Sequence, residues 1–170
     1  CDWSSDVCSS DLDVPVYIST IKDSSLALNL AVHRLENKKY NLDFVREIIE
    51  QAAIVYDSKK SGILELGGGV PKNTAQQTGP LLDQILRRDD GGQEYIIQIT
   101  DARPDTGGLS GATLQEGKSW GKIKDSHEGI ITVYADATIA FPILALYVLS
   151  NQKSREPKRL YKKINNMYNK

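Results

Sequence analysis

The chain has 170 residues, 40% of them hydrophobic and 25% charged, with a formal net charge of −1. That length is enough for one domain with a real core, and near-neutrality gives no electrostatic hint of nucleic acid or membrane. Every apolar run is too short to span a bilayer.

Residues 1–12 stand apart from the rest. The run Asp2-Trp3-Ser4-Ser5-Asp6-Val7-Cys8-Ser9-Ser10-Asp11-Leu12 has no periodic apolar face and none of the regions of a signal peptide. It resembles the conceptual translation of a sequencing-library adapter and carries no expected function. Both cysteines, Cys1 and Cys8, fall inside it, so no disulfide or thiolate chemistry is expected in residues 13–170. Without Asp2, Asp6 and Asp11 the formal charge becomes +2. The body then opens abruptly on Val14-Pro15-Val16-Tyr17-Ile18, which predicts a buried strand with no turn or cap before it. We expect a domain whose N-terminal part is missing.

Strand-like and helix-like segments then alternate. Val14–Ser19 is short and β-branched, and Asp23-Ser24-Ser25 offers capping groups for a helix to about Asn37. Asn41 is the expected cap of a second helix, in which Phe44, Ile48, Ala52 and Val55 recur at helical spacing. Gly62-Ile63-Leu64-Glu65-Leu66 predicts a strand entering Gly67-Gly68-Gly69. Pro71 suits the first turn of a helix running towards Arg88, with a kink at Gly79-Pro80. Tyr95–Thr100 and Gly129–Tyr134 are further strands, separated by a long loop rich in Gly, Asp, Ser and Thr. Loops of that length tend to be functional. The run from Ala137 to Asn151 is nearly all apolar and predicts a deeply buried helix. In the basic tail, Leu160, Ile164 and Met167 recur at i, i+4 and i+7, which predicts a packing stripe with solvated lysines opposite. The alternation argues for an α/β fold, Rossmann-like and doubly wound, with a mostly parallel sheet and helices on both faces.

In such sheets ligands collect at the carboxyl ends of the strands. Asp23, Gly67–Gly69, Thr100 and Asp136 each follow one of the four expected strands, so one cleft gathers all four. The glycines would let a dinucleotide approach the backbone, and Asp136 could accept hydrogen bonds from a ribose diol. Three glycines alone are usually only a tight turn, and the pattern is not G-x-G-x-x-G. Lys122 follows Trp120 and Gly121. An apolar wall beside an amine disfavours the charged form and frees a lone pair for attack on an imine or carbonyl. A lone tryptophan is more commonly a core residue, and most lysines are simply solvated. Glu116 could hold a substrate ammonium; its bland alternative is an exposed acid at a helix start. His33 is expected at a core boundary and His127 in a polar turn, and no metal site is expected.

Gly67-Gly68-Gly69-Val70, Ser119-Trp120-Gly121-Lys122-Ile123 and Tyr134-Ala135-Asp136-Ala137, in this order, resemble the C-terminal half of deoxyhypusine synthases and their prokaryotic relatives. The resemblance implies an NAD-dependent aminobutyl transferase, cytoplasmic and homotetrameric, with active sites shared between paired subunits. NAD takes hydride from spermidine, diaminopropane leaves as the butylimine passes to an enzyme lysine, a translation-factor lysine then accepts the group, and the held NADH reduces the product. By matching position, Lys122 is the nucleophile, Trp120 lines the polyamine tunnel and Glu116 pairs with a substrate amine. Asp23, Gly68, Thr100, Asp136 and Ala137 fall where the family contacts NAD.

Three positions depart from the better-known members. Asn73 stands where they place a histidine on the substrate side, and Leu28 and Leu109 stand where they carry acids. A charge-assisted hydrogen bond contributes about 1.5–3 kcal/mol, so two lost acids would weaken polyamine binding by on the order of 10²-fold or more unless Asp101 or Asp105 substitutes. The expectation is therefore NAD-linked imine transfer with a different donor or acceptor, such as another polyamine, a diamine or a small amine. Two other readings stay open: a non-catalytic NAD-binding paralogue that supports an active partner subunit, and a structural α/β domain without cofactor.

Overall fold

A computed structural model describes residues 12–88, 92–124 and 129–168. His127 and both cysteines lie outside the described residues. The fold is α/β: a three-stranded, all-parallel sheet in the order β1 (Gly62–Leu66), β2 (Tyr95–Thr100), β3 (Ile130–Tyr134). Leu66 pairs with Ile99 and Ile99 with Val133, so the three carboxyl ends are in register. β2 is central, and its Ile96 and Ile99 are fully enclosed. Ile96 packs with Leu114 and Ile123, and Ile130 closes the cluster from β3.

The helices follow from their caps. Ser24 accepts the Ala27 amide and starts α1 (Ser25–Leu35). α2 (Phe44–Tyr56) starts where its apolar spacing begins, but Asp43, not Asn41, supplies the cap, accepting the Arg46 amide at 2.9 Å. Its carboxylate reaches the amide three residues on, as an N-cap does. Asp43→Ala should cost about 1 kcal/mol of stability, measured as a shifted urea midpoint with an unchanged slope. After β1, α3 (Val70–Gln76) carries Pro71 in its first turn. It continues through α4 (Thr78–Pro80) into a π turn, Leu81–Ile85, just after Gly79-Pro80. Proline has no amide to give, so the i→i−4 ladder cannot run unbroken there. The remaining helices are α5 (Leu114–Ser119), α6 (Ala137–Asn151) and α7 (Leu160–Tyr168).

Three expectations need correction. Val14–Ile18 alternates in exposure residue by residue but forms no strand. A strand needs a ladder partner, and none pairs with it among the described residues. α6 is not deeply buried: Ile139, Ile143, Leu146 and Leu149 are each about two-thirds exposed or more. It packs on β2, but its apolar character runs all the way round, and one sheet contact covers only part of it. The long loop between β2 and β3 is not structureless; it contains α5. The stripe on α7 behaves as expected, with Ile164 and Met167 buried against α2 and its Ala52 and Ala53.

Candidate active site

The glycine loop and the two following strand ends lie along one edge of the sheet. The Gly67 amide donates to the Ile99 carbonyl at 2.7 Å, and the Ala135 amide to the Thr100 carbonyl at 3.1 Å. Thr100 is buried and its hydroxyl accepts the Ala102 amide. Asp136 is exposed and caps α6, accepting the Thr138 amide and hydroxyl at 2.7 and 2.6 Å. Those two bonds hold its carboxyl below the usual carboxylate range. Ala137 is the first residue of α6. Asp23 ends a short 3-10 turn (Ile21–Asp23), so it is not carried by a sheet strand.

The glycines are required for different reasons. Gly67 and Gly69 adopt φ of +76° and +79°, which L side chains rarely tolerate. At Gly68 the constraint is contact: a Cβ there would lie 2.6 Å from the Ser110 Cα. The close approach at Gly68 is thus made by the protein's own chain. Gln98, buried in β2, fixes the arrangement by donating to both the Gly67 and Ser110 carbonyls, at 3.2 and 3.1 Å.

Lys122 owes its position to the end of α5. Thr113 caps that helix by accepting the Glu116 amide. At the other end the Gly121 amide donates to the Lys118 carbonyl and the Lys122 amide to the Gly117 carbonyl, both at 3.0 Å. That is a Schellman motif, and Gly121, with φ +69°, is its left-handed residue. The Lys122 carbonyl then accepts the Gln93 amide, and Ile123 pairs with Gln93 as an isolated parallel bridge beside the start of β2. From there the Lys122 side chain, half-buried, donates from Nζ to Asn73 Oδ1 on α3 at 2.5 Å.

The result is a pocket of about 70 Å³ walled by α3, α5 and the loop before α5. Lys72, Asn73, Leu109, Glu116, Trp120 and Lys122 all contribute to it. Of the three departures from the family pattern, Asn73 and Leu109 are in this wall, whereas Leu28 is exposed on α1. Asp105 is committed to Arg103 on an exposed loop. Trp120 is 62% exposed and so does not seal an apolar wall over the amine, as its place in the sequence suggests. As residue C-cap of α5 it is turned outward before the chain reverses at Gly121.

The sequence reading passed over Lys72. It is only 8% exposed, and its Nζ donates to the Ala112 carbonyl at 2.7 Å. Burial pulls its ammonium below the usual lysine value, Glu65 and Glu116 oppose that shift, and the nearby charge of Lys122 adds to it. Glu65, the acid inside β1, was likewise missed. Burial pushes its carboxyl up, against the Gln76 hydrogen bond and the Lys72 charge. Little in the sequence signalled it, because alternation groups Leu64 with Leu66 on the face opposite Glu65.

Residues 6–148 match the deoxyhypusine synthase family model. The chain belongs to the deoxyhypusine synthase family. It is 44% identical over 162 residues to the deoxyhypusine synthase-like protein of Nostoc sp., covering 92% of this chain and 42% of that protein. With the deoxyhypusine synthase-like protein of Nostoc punctiforme it shares 46% identity over 156 residues, 88% of this chain and 40% of the relative. The probable deoxyhypusine synthase 2 of Methanosarcina acetivorans is 39% identical over 148 residues, with 87% and 42% covered. The chain spans about two-fifths of the length of these relatives.

Proposed function

We propose that the protein carrying this chain transfers an aminobutyl group from spermidine or a related amine to a protein lysine or a small amine, in an NAD-dependent reaction. Lys122 is the nucleophile. The observation that carries this reading is the partition formed by residues 109–112. Ser110 packs on Gly68 at the glycine loop, while Leu109 and Ala112 line the lysine pocket on the other side. A nucleotide at the strand ends and an amine beside Lys122 would be separated by one layer of backbone.

The residues present fit NAD. The space beside the Gly67 Cα is open, and the exposed Asp136 carboxylate stands at the same sheet edge. Thr100 and Ala137 follow at the ends of β2 and β3, while Asp23 and Gly68 are assigned to the contacts from the family resemblance alone. Bound NAD would supply hydride acceptance from the amine and hydride return to the product. The chain's own residues do the rest. Asn73 orients the Lys122 amine through its carbonyl oxygen, Glu116 pairs with the substrate ammonium, and Trp120 forms one side of the entry.

Leu109 supplies an apolar surface to this wall, and Glu116 is its carboxylate. A pocket with that lining favours a donor carrying fewer charges than spermidine. We further assign the homotetramer and the cytoplasm as its setting, from the family alone.

The test is borohydride trapping with NAD and a panel of di- and polyamines. It uses the chain itself and a chimaera in which it replaces the matching segment of the Nostoc sp. relative. An adduct on Lys122, strongest with a diamine, is expected in the chimaera. Adduct absent from both proteins would overturn the reading and favour an NAD-binding partner subunit without chemistry.

A further inference from the structure

Gln76 lies in α3, three residues beyond Asn73, and is only 3% exposed, a depth at which glutamine is seldom found. A buried amide needs partners at both of its ends, and within the protein only one end is served. Gln76 Nε2 donates to Glu65 Oε1 at 2.5 Å. An ionised carboxylate only accepts, so Glu65 decides which way round the amide lies: Nε2 towards β1, carbonyl away from it. Gln76 Oε1 accepts no hydrogen bond among the described residues. Nor is it sealed off, since Glu65 Oε2 is the one buried side-chain atom without a partner among those residues. The oxygen faces α5: a Cβ placed on Gly117 would lie 3.9 Å from it. Gln76 and Gly117 both belong to the wall of the lysine pocket. The other acceptors there are placed differently. Asn73 Oδ1 is taken by Lys122, and Glu116 is exposed at the rim.

We propose that Gln76 is a substrate-binding residue whose carbonyl oxygen accepts an N–H of the amine donor inside the pocket, and that Glu65 is the positioning residue that keeps this oxygen turned there. This deepens the reading of the pocket as the amine site and rests on it. A carbonyl oxygen with no partner is satisfied only by a hydrogen-bond donor, so it selects an amine over an apolar group of the same size. The carboxylate behind the amide adds strength. Hydrogen bonds in a chain polarise one another, and an amide whose N–H is held by an acid is the better acceptor at its other end. Orientation matters as much. Without Glu65 the amide could lie either way round, and reversed it would present N–H groups to a ligand that is itself a donor. The arrangement thereby accounts for an acid inside β1, where an apolar side chain is the ordinary occupant.

Calorimetric titration of 1,4-diaminobutane into the chain and into the chimaera, without NAD, reads binding apart from chemistry. Gln76→Met keeps the length of the side chain and loses the acceptor. Diamine affinity should fall about tenfold or more, as for a lost hydrogen bond to a charged group. That variant leaves Glu65 with no partner at all. The double variant Glu65→Leu with Gln76→Met removes both polar groups together and decides if the single one does not fold. Glu65→Leu alone keeps the acceptor but frees the amide, and should weaken binding by about threefold. In borohydride trapping, the diamine concentration for half-maximal adduct should rise in the same order while the maximal adduct on Lys122 is kept, a split that mere loss of structure would not give. Affinity within about twofold of the parent in Gln76→Met and in the double variant, or no diamine binding by either parent protein, overturns the proposal. Parental affinity in Glu65→Leu overturns the part given to Glu65. Diamine binding that depends on Gln76 but yields no adduct would remove the proposed chemistry and leave this site standing, so the two failures are separate results.

Discussion

Replacing Lys122 with arginine abolishes the borohydride adduct in the chimaera and lowers amine transfer by at least about 10³-fold. Arginine keeps a cation and similar reach, so it preserves the electrostatics around Asn73 and Lys72. What it lacks is an amine that can lose its proton and form a carbon–nitrogen bond. The substitution therefore separates chemistry from binding. NAD binding, followed by a thermal shift, should be retained, because Lys122 is separated from the glycine loop by the wall at residues 109–112. Residual transfer within tenfold of the parent would remove Lys122 from the mechanism, whatever the fate of the cofactor site.

Gly68→Ala is expected to destabilise the chain by about 1–3 kcal/mol, the range for forcing extra volume into a packed position. The added Cβ would meet the Ser110 Cα at 2.6 Å, and Ser110 Cβ and Oγ at 3.1 Å. The first of these is backbone, which cannot swing aside as a flexible side chain tip can. Relief requires residues 109–112 to move, and that segment also carries the Ala112 carbonyl bound by Lys72 and the Leu109 wall of the lysine pocket. The variant should therefore lose both melting temperature, by roughly 5 °C or more, and trapping of the imine. Gly107→Ala is the control. Its φ is +74° but nothing lies within 4 Å of an added Cβ, so it costs only backbone strain and leaves the pocket intact. Equal melting temperatures for Gly68→Ala and the parent would mean that Ser110 does not rest on the glycine loop.

The two predictions concern residues of different legibility. Lys122 was visible as a lysine in an unusual setting, yet the setting was misjudged. Adjacency to Trp120 suggested an apolar shelter, but a helix end turns adjacent residues in different directions, and Trp120 is exposed. The helix itself was open to sequence reading, since Thr113-x-x-Glu116 is a capping-box pattern and Gly121 stands where a Schellman motif needs it. Its short length, and the polar residues around it, hid it within an apparent loop. Glu65 was harder to see. The structure puts it on the buried face of β1, with Leu64 and Leu66 on the exposed one, and a partner for a buried acid cannot be named until α3 is folded over the strand.

Local pattern determined the order and type of most elements. β1 and β2 have the boundaries that their apolar runs predict, α6 spans Ala137–Asn151, and Pro71 sits in the first turn of α3, because these features depend on neighbours within a few residues. Burial depended on the fold. α6 has an apolar face on every side, but how much of it is covered is set by what packs there, and Val14–Ile18 alternates like a strand yet has no ladder partner. The same holds for the site. The sequence contained the glycines, the lysines and the acid, while only the meeting of α3 with α5 and of Gly68 with Ser110 brought them to one pocket and its wall. Side-chain chemistry is written residue by residue, but the contact between Lys122 and Asn73, 49 positions apart, exists only once the chain has closed on itself.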